Sequence, residues 1–105
     1  MTAEHRLQQQ IKLWCGEHDV LCFRTNSGKV PLTDGRWFDT GLPVGFSDLF
    51  LLTRKAQCIF VETKIKPRKP TPEQLRFLDE MRSRGFQSFV IYSIEEFIEK
   101  VGCMV

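Results

Sequence analysis

Apolar residues near the start of the chain recur with helical spacing. Leu7, Ile11, Trp14 and Cys15, with His18 one turn on, predict a helix over residues 4–18 whose end Gly16 loosens. Residues 20–25, Val-Leu-Cys-Phe-Arg-Thr, are β-branched and aromatic and predict a strand, and Asn26-Ser27-Gly28 marks a turn after it. A ribbon follows around Val30-Pro31-Leu32 and Arg36-Trp37-Phe38, reversing at Asp34-Gly35, and Gly41 to Gly45 form a loop. Ser47 to Leu52 is nearly continuous apolar, the pattern of a strand covered on both faces. The chain turns at Arg54-Lys55-Ala56-Gln57 and returns as a strand from Cys58 to Ile65, ended by Pro67 and Pro70.

Two later helices carry start signals. Thr71-Pro72-Glu73-Gln74 supplies an N-cap, a proline at the first helical position and a capping-box glutamine, and Gly85 closes the helix. Residues 86–92 form the next strand, and Ser93-Ile94-Glu95-Glu96 opens a short helix through Phe97, Ile98 and Val101 to Gly102. The order, α-β-β-β-α-β-α with an extra strand early on, describes an α/β protein with a single small mixed sheet flanked by helices.

Composition narrows the class. At 105 residues the chain fits one domain spanning 1–105, and 42% hydrophobic with 27% charged residues is ordinary for a globular protein. No apolar run reaches the ~18–20 residues of a bilayer span, and no positive-then-apolar signal stands at the N-terminus, so the expected setting is the cytoplasm, away from membranes. Cys15, Cys22, Cys58 and Cys103 show no C-x-x-C spacing, and three lie in apolar stretches as small hydrophobes, so neither disulfides nor zinc are expected. The net charge of +2 says little, but Lys64, Lys66, Arg68 and Lys69 fall within six residues. Such a run is either a solvated loop or a stripe that meets a phosphate backbone.

The chemistry lies in polar residues placed where a sheet is apolar. Asp48 opens one central strand and Glu62 sits inside the next. Strand alternation puts Glu62 and Lys64 on one face and Val61, Thr63 and Ile65 on the other, and a hairpin between the strands brings Asp48 close. An uncompensated buried carboxylate costs several kcal/mol. A divalent cation with oxygen ligands removes that cost, and Lys64 can then orient a water and offset charge developing on phosphorus. The plain alternative is an exposed Glu62–Lys64 ion pair.

The ordered set resembles the virus-type replication-repair nuclease (VRR-NUC) domain of the PD-(D/E)-x-K superfamily, over almost the whole chain. It comprises Glu4 in the first helix, Arg24-Thr25-Asn26-Ser27-Gly28, Gly45-Phe46-Ser47-Asp48-Leu49, Phe60-Val61-Glu62-Thr63-Lys64, Thr71-x-x-Gln74, and Val90-Ile91-Tyr92-Ser93 before Glu95-Glu96. Ser47 stands where the family commonly has proline. The resemblance implies a restriction-endonuclease-like core and catalytic Asp48, Glu62 and Lys64, with Gln74 near the active centre. It implies Mg²⁺ or Mn²⁺ held by Asp48, Glu62, the backbone carbonyl of Thr63 (a role in which its side chain is immaterial) and Glu4. It further implies metal-dependent hydrolysis of branched or flapped DNA in the manner of a Holliday-junction resolvase, leaving 5′-phosphate and 3′-hydroxyl ends, by a homodimer. A phage-encoded protein acting in a bacterial cytoplasm suits this length.

Several assignments stay double. Gln74 serves a capping box or the active centre. Glu4 is a metal ligand or an acid favoured by the helix dipole. Asn26 and Ser27 bind phosphate or simply turn the chain. Lys66, Arg68 and Lys69 bind the DNA backbone or solvate a loop. Trp37, Phe38 and Phe46 stack on bases, meet a partner or pack in the core, with the core expected for at least two. Rival functions are a catalytically inactive DNA-binding module of the same fold and an unrelated α/β interaction domain.

Overall fold

The computed structural model describes residues 1–25, 29–39 and 41–105. Helix α1 (Ala3–Glu17) starts at Thr2, whose hydroxyl accepts the His5 amide, and buries Leu7, Ile11 and Cys15. It runs through Gly16 and stops at His18, followed by Asp19 with φ 57°. The chain then forms β1 (Leu21–Arg24), β2 (Lys29–Pro31), β3 (Trp37–Asp39), β4 (Leu49–Leu52), β5 (Cys58–Thr63), α2 (Pro72–Ser83), β6 (Gln87–Ile91) and α3 (Ile94–Val101). The main sheet has the order β1-β4-β5-β6, antiparallel except for the parallel β5–β6 pair, and β2–β3 is a separate antiparallel ribbon. This is the mixed sheet flanked by helices expected from the pattern.

The two faces of the sheet are filled differently. Leu49, Leu51, Ile59, Val61 and Ile91 pack with Leu7, Ile11 and Cys15 of α1 and Phe97 and Val101 of α3 into one dry core. Phe60 points the other way, edge-on to Phe77 of α2 and to Phe46 and Phe86. Helix α2 is tied to that face by Ser88, whose buried hydroxyl donates to the Leu78 carbonyl at 2.8 Å. It ends as its glycine foretells: Phe86 N–H donates to Met81 O and Gly85 N–H to Arg82 O, with Gly85 at φ 93°.

Both strands of the β4–β5 hairpin are shorter than their apolar runs. Ser47 and Asp48 lie before β4, where Thr25 extends the pairing with β1 by one bond: its amide donates to Asp48 O at 2.8 Å, and its hydroxyl donates to Ser47 O. Ser47 Oγ turns back to Leu49 O at 3.0 Å. At the far end of β5, Lys64 N–H still reaches Ile91 O at 3.0 Å, and Ile65 then enters a turn closed by Arg68 N–H. Gly45 is needed twice over: its φ is +94°, and an added Cβ would stand 2.7 Å from Glu73 O at the start of α2. Of the aromatic residues before Asp48, Phe46 packs against Phe77, Trp37 is 65% exposed, and the Phe38 side chain lies outside the described residues. Phe46 thus packs in the interior and Trp37 does not, and the expectation for Phe38 falls outside the described residues. Among the described residues, no helix is long and apolar enough to cross a membrane.

Candidate active site

The register Leu49↔Val61 carries Asp48 to the level of Glu62 and Thr63. Asp48 Oδ2 accepts the Thr63 amide at 3.0 Å and the Thr63 hydroxyl at 2.8 Å. That hydroxyl has spent its only proton on Asp48, so it can only accept from its other neighbour. It does so from Gln8 Nε2 at 2.9 Å. The chain Gln8–Thr63–Asp48 thus fixes one carboxylate oxygen from helix α1 across the end of the sheet. The Thr63 side chain is consequently not immaterial, as expected from sequence, but the middle link of the site.

Glu62 is the opposite case. It is 1% exposed, and among the described residues no donor reaches either oxygen of the ionised carboxylate. Burial, then the neighbouring Asp48 charge, then a proton shared with Asp48 when Glu62 is neutral, push its pKa up from 4.5 to about 9. Lys64 pulls the other way, and Glu4 adds a further push upward. Lys64 is itself only 5% exposed and forms no ion pair among the described residues. Glu62 and Lys64 are therefore not the exposed surface pair of the plain alternative.

The residues singled out from sequence separate into groups. Asp48, Glu62, Thr63 and Lys64 converge at the carboxyl end of β5. Glu4 lies near enough for its charge to act on Glu62, yet its carboxylate faces Arg68 at 3.8 Å. Among the described residues no three His, Cys, Asp or Glu side chains gather into one cluster, so Glu4 does not complete a carboxylate triad. Gln74 closes the capping box: its Oε1 accepts the Thr71 amide at 2.8 Å while Thr71 Oγ1 accepts the Gln74 amide at 3.2 Å. No hydrogen bond joins Gln74 to Asp48, Glu62 or Lys64 among the described residues, so its helix-start reading is the one the geometry fills. Lys66, Arg68 and Lys69 are exposed on the turn beyond β5. Asn26 and Ser27 lie outside the described residues.

Gln8 joins the site through Thr63 and is not among the residues singled out from sequence. Its signal was a polar side chain between Leu7 and Ile11 on the buried stripe of α1, one turn after Glu4. It is 6% exposed, and its Oε1 has no partner. Around it a cleft of about 310 Å³ is lined by Thr2, Glu4, His5, Gln8, Arg24 and Arg68.

This donor set suits a hard cation. Glu62 presents two buried oxygens that only a proton or a cation can satisfy, beside an oriented Asp48 carboxylate.

Comparison with known proteins agrees with this frame. The family model described as "VRR-NUC domain" matches residues 3–95. A solved structure titled "VRR_NUC domain" superposes with a TM-score of 0.70 at 27% identity, covering 96% of this chain and 95% of the other. No curated protein matches the chain significantly.

Proposed function

The chain belongs to the VRR-NUC family of nuclease-type domains, and from that premise we propose that it is a metal-dependent nuclease hydrolysing phosphodiester bonds in structured DNA. The observation that supports this most is Glu62: a carboxylate buried with no donor among the described residues, beside Asp48, at the carboxyl end of a central strand. An interaction domain has no use for such a group, and a protein selected only for stability would replace it.

Asp48, Glu62 and the Thr63 carbonyl would hold one divalent cation, Mg²⁺ or Mn²⁺, with Glu4 supplying negative charge at the rim. When bound, the cation activates water and stabilises negative charge on the phosphate oxygens. The protein's own groups set the geometry. Thr63 and Gln8 hold Asp48 in one orientation before substrate arrives, so no reorganisation is needed at the reacting phosphate. Burial keeps Glu62 without competing donors. Lys64, on the same face two residues on, directs its ammonium at the attacking water and at charge developing on phosphorus. Lys66, Arg68 and Lys69 follow directly and hold the strand by its phosphates. In-line attack with departure of the 3′ oxygen leaves 5′-phosphate and 3′-hydroxyl ends.

We further propose that two copies act together, as suits a four-way junction. On the sheet face away from α1, Leu21, Phe23 and Leu52 are 59%, 43% and 38% exposed beside Phe50, and the pairs Leu21↔Leu52 and Phe23↔Phe50 make them one patch. A second copy would remove this patch from water. A monomeric mass by light scattering at micromolar concentration counts against the dimer.

The test of function is cleavage of labelled single strand, duplex, flap and four-way junction with Mg²⁺, Mn²⁺ or EDTA, beside Glu62→Gln. Metal-dependent cutting lost in the variant supports the nuclease, and the preferred substrate defines its class. Junction binding without cutting by any substrate–metal combination would leave an inactive DNA-binding module as the better account.

A further inference from the structure

A second cleft adjoins the catalytic end of the sheet. It has a volume of about 320 Å³ and is lined by Lys66, Pro67, Arg68, Lys69 and Tyr92. Its position follows from the parallel pair: Thr63 is opposite Ile91, and Lys64 N–H donates to Ile91 O, so Tyr92 is the first residue past β6 beside the catalytic lysine. In an open α/β sheet the crevice outside the carboxyl ends of the strands is where ligands are received. Three cations surround an aromatic ring and a proline there, and the ring is not packed away. The Lys66 ammonium stands over the half-buried Tyr92 ring, 5.7 Å from its centre. The backbone beneath the ring is fixed independently, since Tyr92 N–H donates to Glu96 Oε1 at 2.8 Å at the start of α3.

An aromatic ring in a cleft lined by mobile cationic side chains is the chemistry of an unpaired nucleotide: the base stacks on the ring and the phosphates meet the ammonium and guanidinium groups. A base inside a duplex is already stacked on both sides and cannot offer its face. We propose that this cleft is a stacking subsite for an unpaired nucleotide flanking the phosphate to be cut, with Tyr92 as its platform and Lys66 and Lys69 as its phosphate contacts. Lys66 leaves the ring for the phosphate when the base enters. Arg68 lies on the ridge between the two clefts, 3.8 Å from Glu4. The subsite deepens the nuclease reading and rests on it; its consequence is that the substrate carries a single-stranded stretch next to the cleavage point.

The test measures binding without cleavage, by fluorescence anisotropy in EDTA, of a labelled single-stranded oligonucleotide and of the duplex of the same sequence. Tyr92→Leu keeps apolar bulk but has no π face. It is expected to weaken single-strand binding roughly five- to tenfold, leave duplex binding unchanged, and keep the wild-type melting temperature, while Tyr92→Phe binds both as wild type does. Lys66→Ala is expected to weaken both and to lower the salt dependence of single-strand binding by about 0.7 in log–log slope. Equal loss on both ligands, or no loss in Tyr92→Leu, overturns the subsite. A wild-type protein that cuts DNA while Tyr92→Leu binds normally overturns the subsite alone; one that neither cuts nor binds DNA overturns the nuclease reading with it.

Discussion

Strand β5 and the residue that follows it contain two stretches that are equally buried and physically opposite. Ile59, Phe60 and Val61 are 0%, 8% and 0% exposed, and Glu62, Thr63 and Lys64 are 1%, 0% and 5% exposed. The first half lies between two packed layers, where removal from water stabilises the fold. Among the described residues, the second half gives up hydration for an acid that no donor reaches, a hydroxyl held from both sides and a lysine without an ion pair. It stays folded because the first half and its neighbours in β4 and β6 hold the backbone in place. Burial alone therefore does not identify a core; what matters is whether each buried group is satisfied within the protein.

The sharpest way to break this comparison is to substitute one residue from each half. Glu62→Gln or Lys64→Ala is expected to lower cleavage by roughly a hundredfold or more at unchanged fold, read from single-turnover rates alongside circular dichroism. Ile59→Ala is expected to do the reverse: a loss of about 2–5 kcal/mol of stability in denaturant titration, with near-normal activity per folded molecule.

The acid half also predicts a pH dependence with a definite sign. In the unfolded chain Glu62 ionises near 4.5, whereas in the folded, metal-free protein it keeps its proton until about 9. Between those values the unfolded state binds fewer protons, so this group makes stability fall as pH rises. Thermal melts of metal-free protein across that window are expected to decline more steeply for wild type than for Glu62→Gln. Divalent cation is expected to raise the wild-type melting temperature at neutral pH and to leave the variant nearly unmoved. Identical pH slopes for the two proteins would contradict the buried-acid description.

Smaller effects separate what holds the site from what merely borders it. Gln8→Ala removes the donor to Thr63 and is expected to reduce cation affinity, read by calorimetry, about ten- to hundredfold, at roughly 1 kcal/mol of stability. Gln74→Ala and Thr71→Ala are expected to match each other, each costing about 1 kcal/mol through the lost cap with cleavage unchanged. A selective loss of cleavage in Gln74→Ala alone would return that residue to the active centre.

Local chemistry made much of this legible in advance. The capping box at Thr71–Gln74, the glycine stop at Gly85, the continuous apolar strands and the Glu62-x-Lys64 alternation each depend on neighbours within a few residues, and each stands where the pattern put it. Strand ends are less legible, because side chains take backbone groups there from far along the chain: Asp48 accepts the Thr63 amide 15 positions on, and the Thr25 hydroxyl donates to the Ser47 carbonyl 22 positions on.

Short-range periodicity and residue type carry the elements and their order, and the ordered motif set around Asp48, Glu62 and Lys64 carries the resemblance to the family that the comparison bears out. Which of those groups find partners depends on contacts between distant parts of the chain. Gln8 and Thr63 are separated by 55 positions, and nothing local to either says that one donates to the other. The same holds for Tyr92, which reads as the end of an apolar strand until the parallel pairing of β5 and β6 sets it beside the basic turn. Hydrogen bonds and desolvation act over a few ångströms in space, and the chain's fold alone determines which residues come within that range.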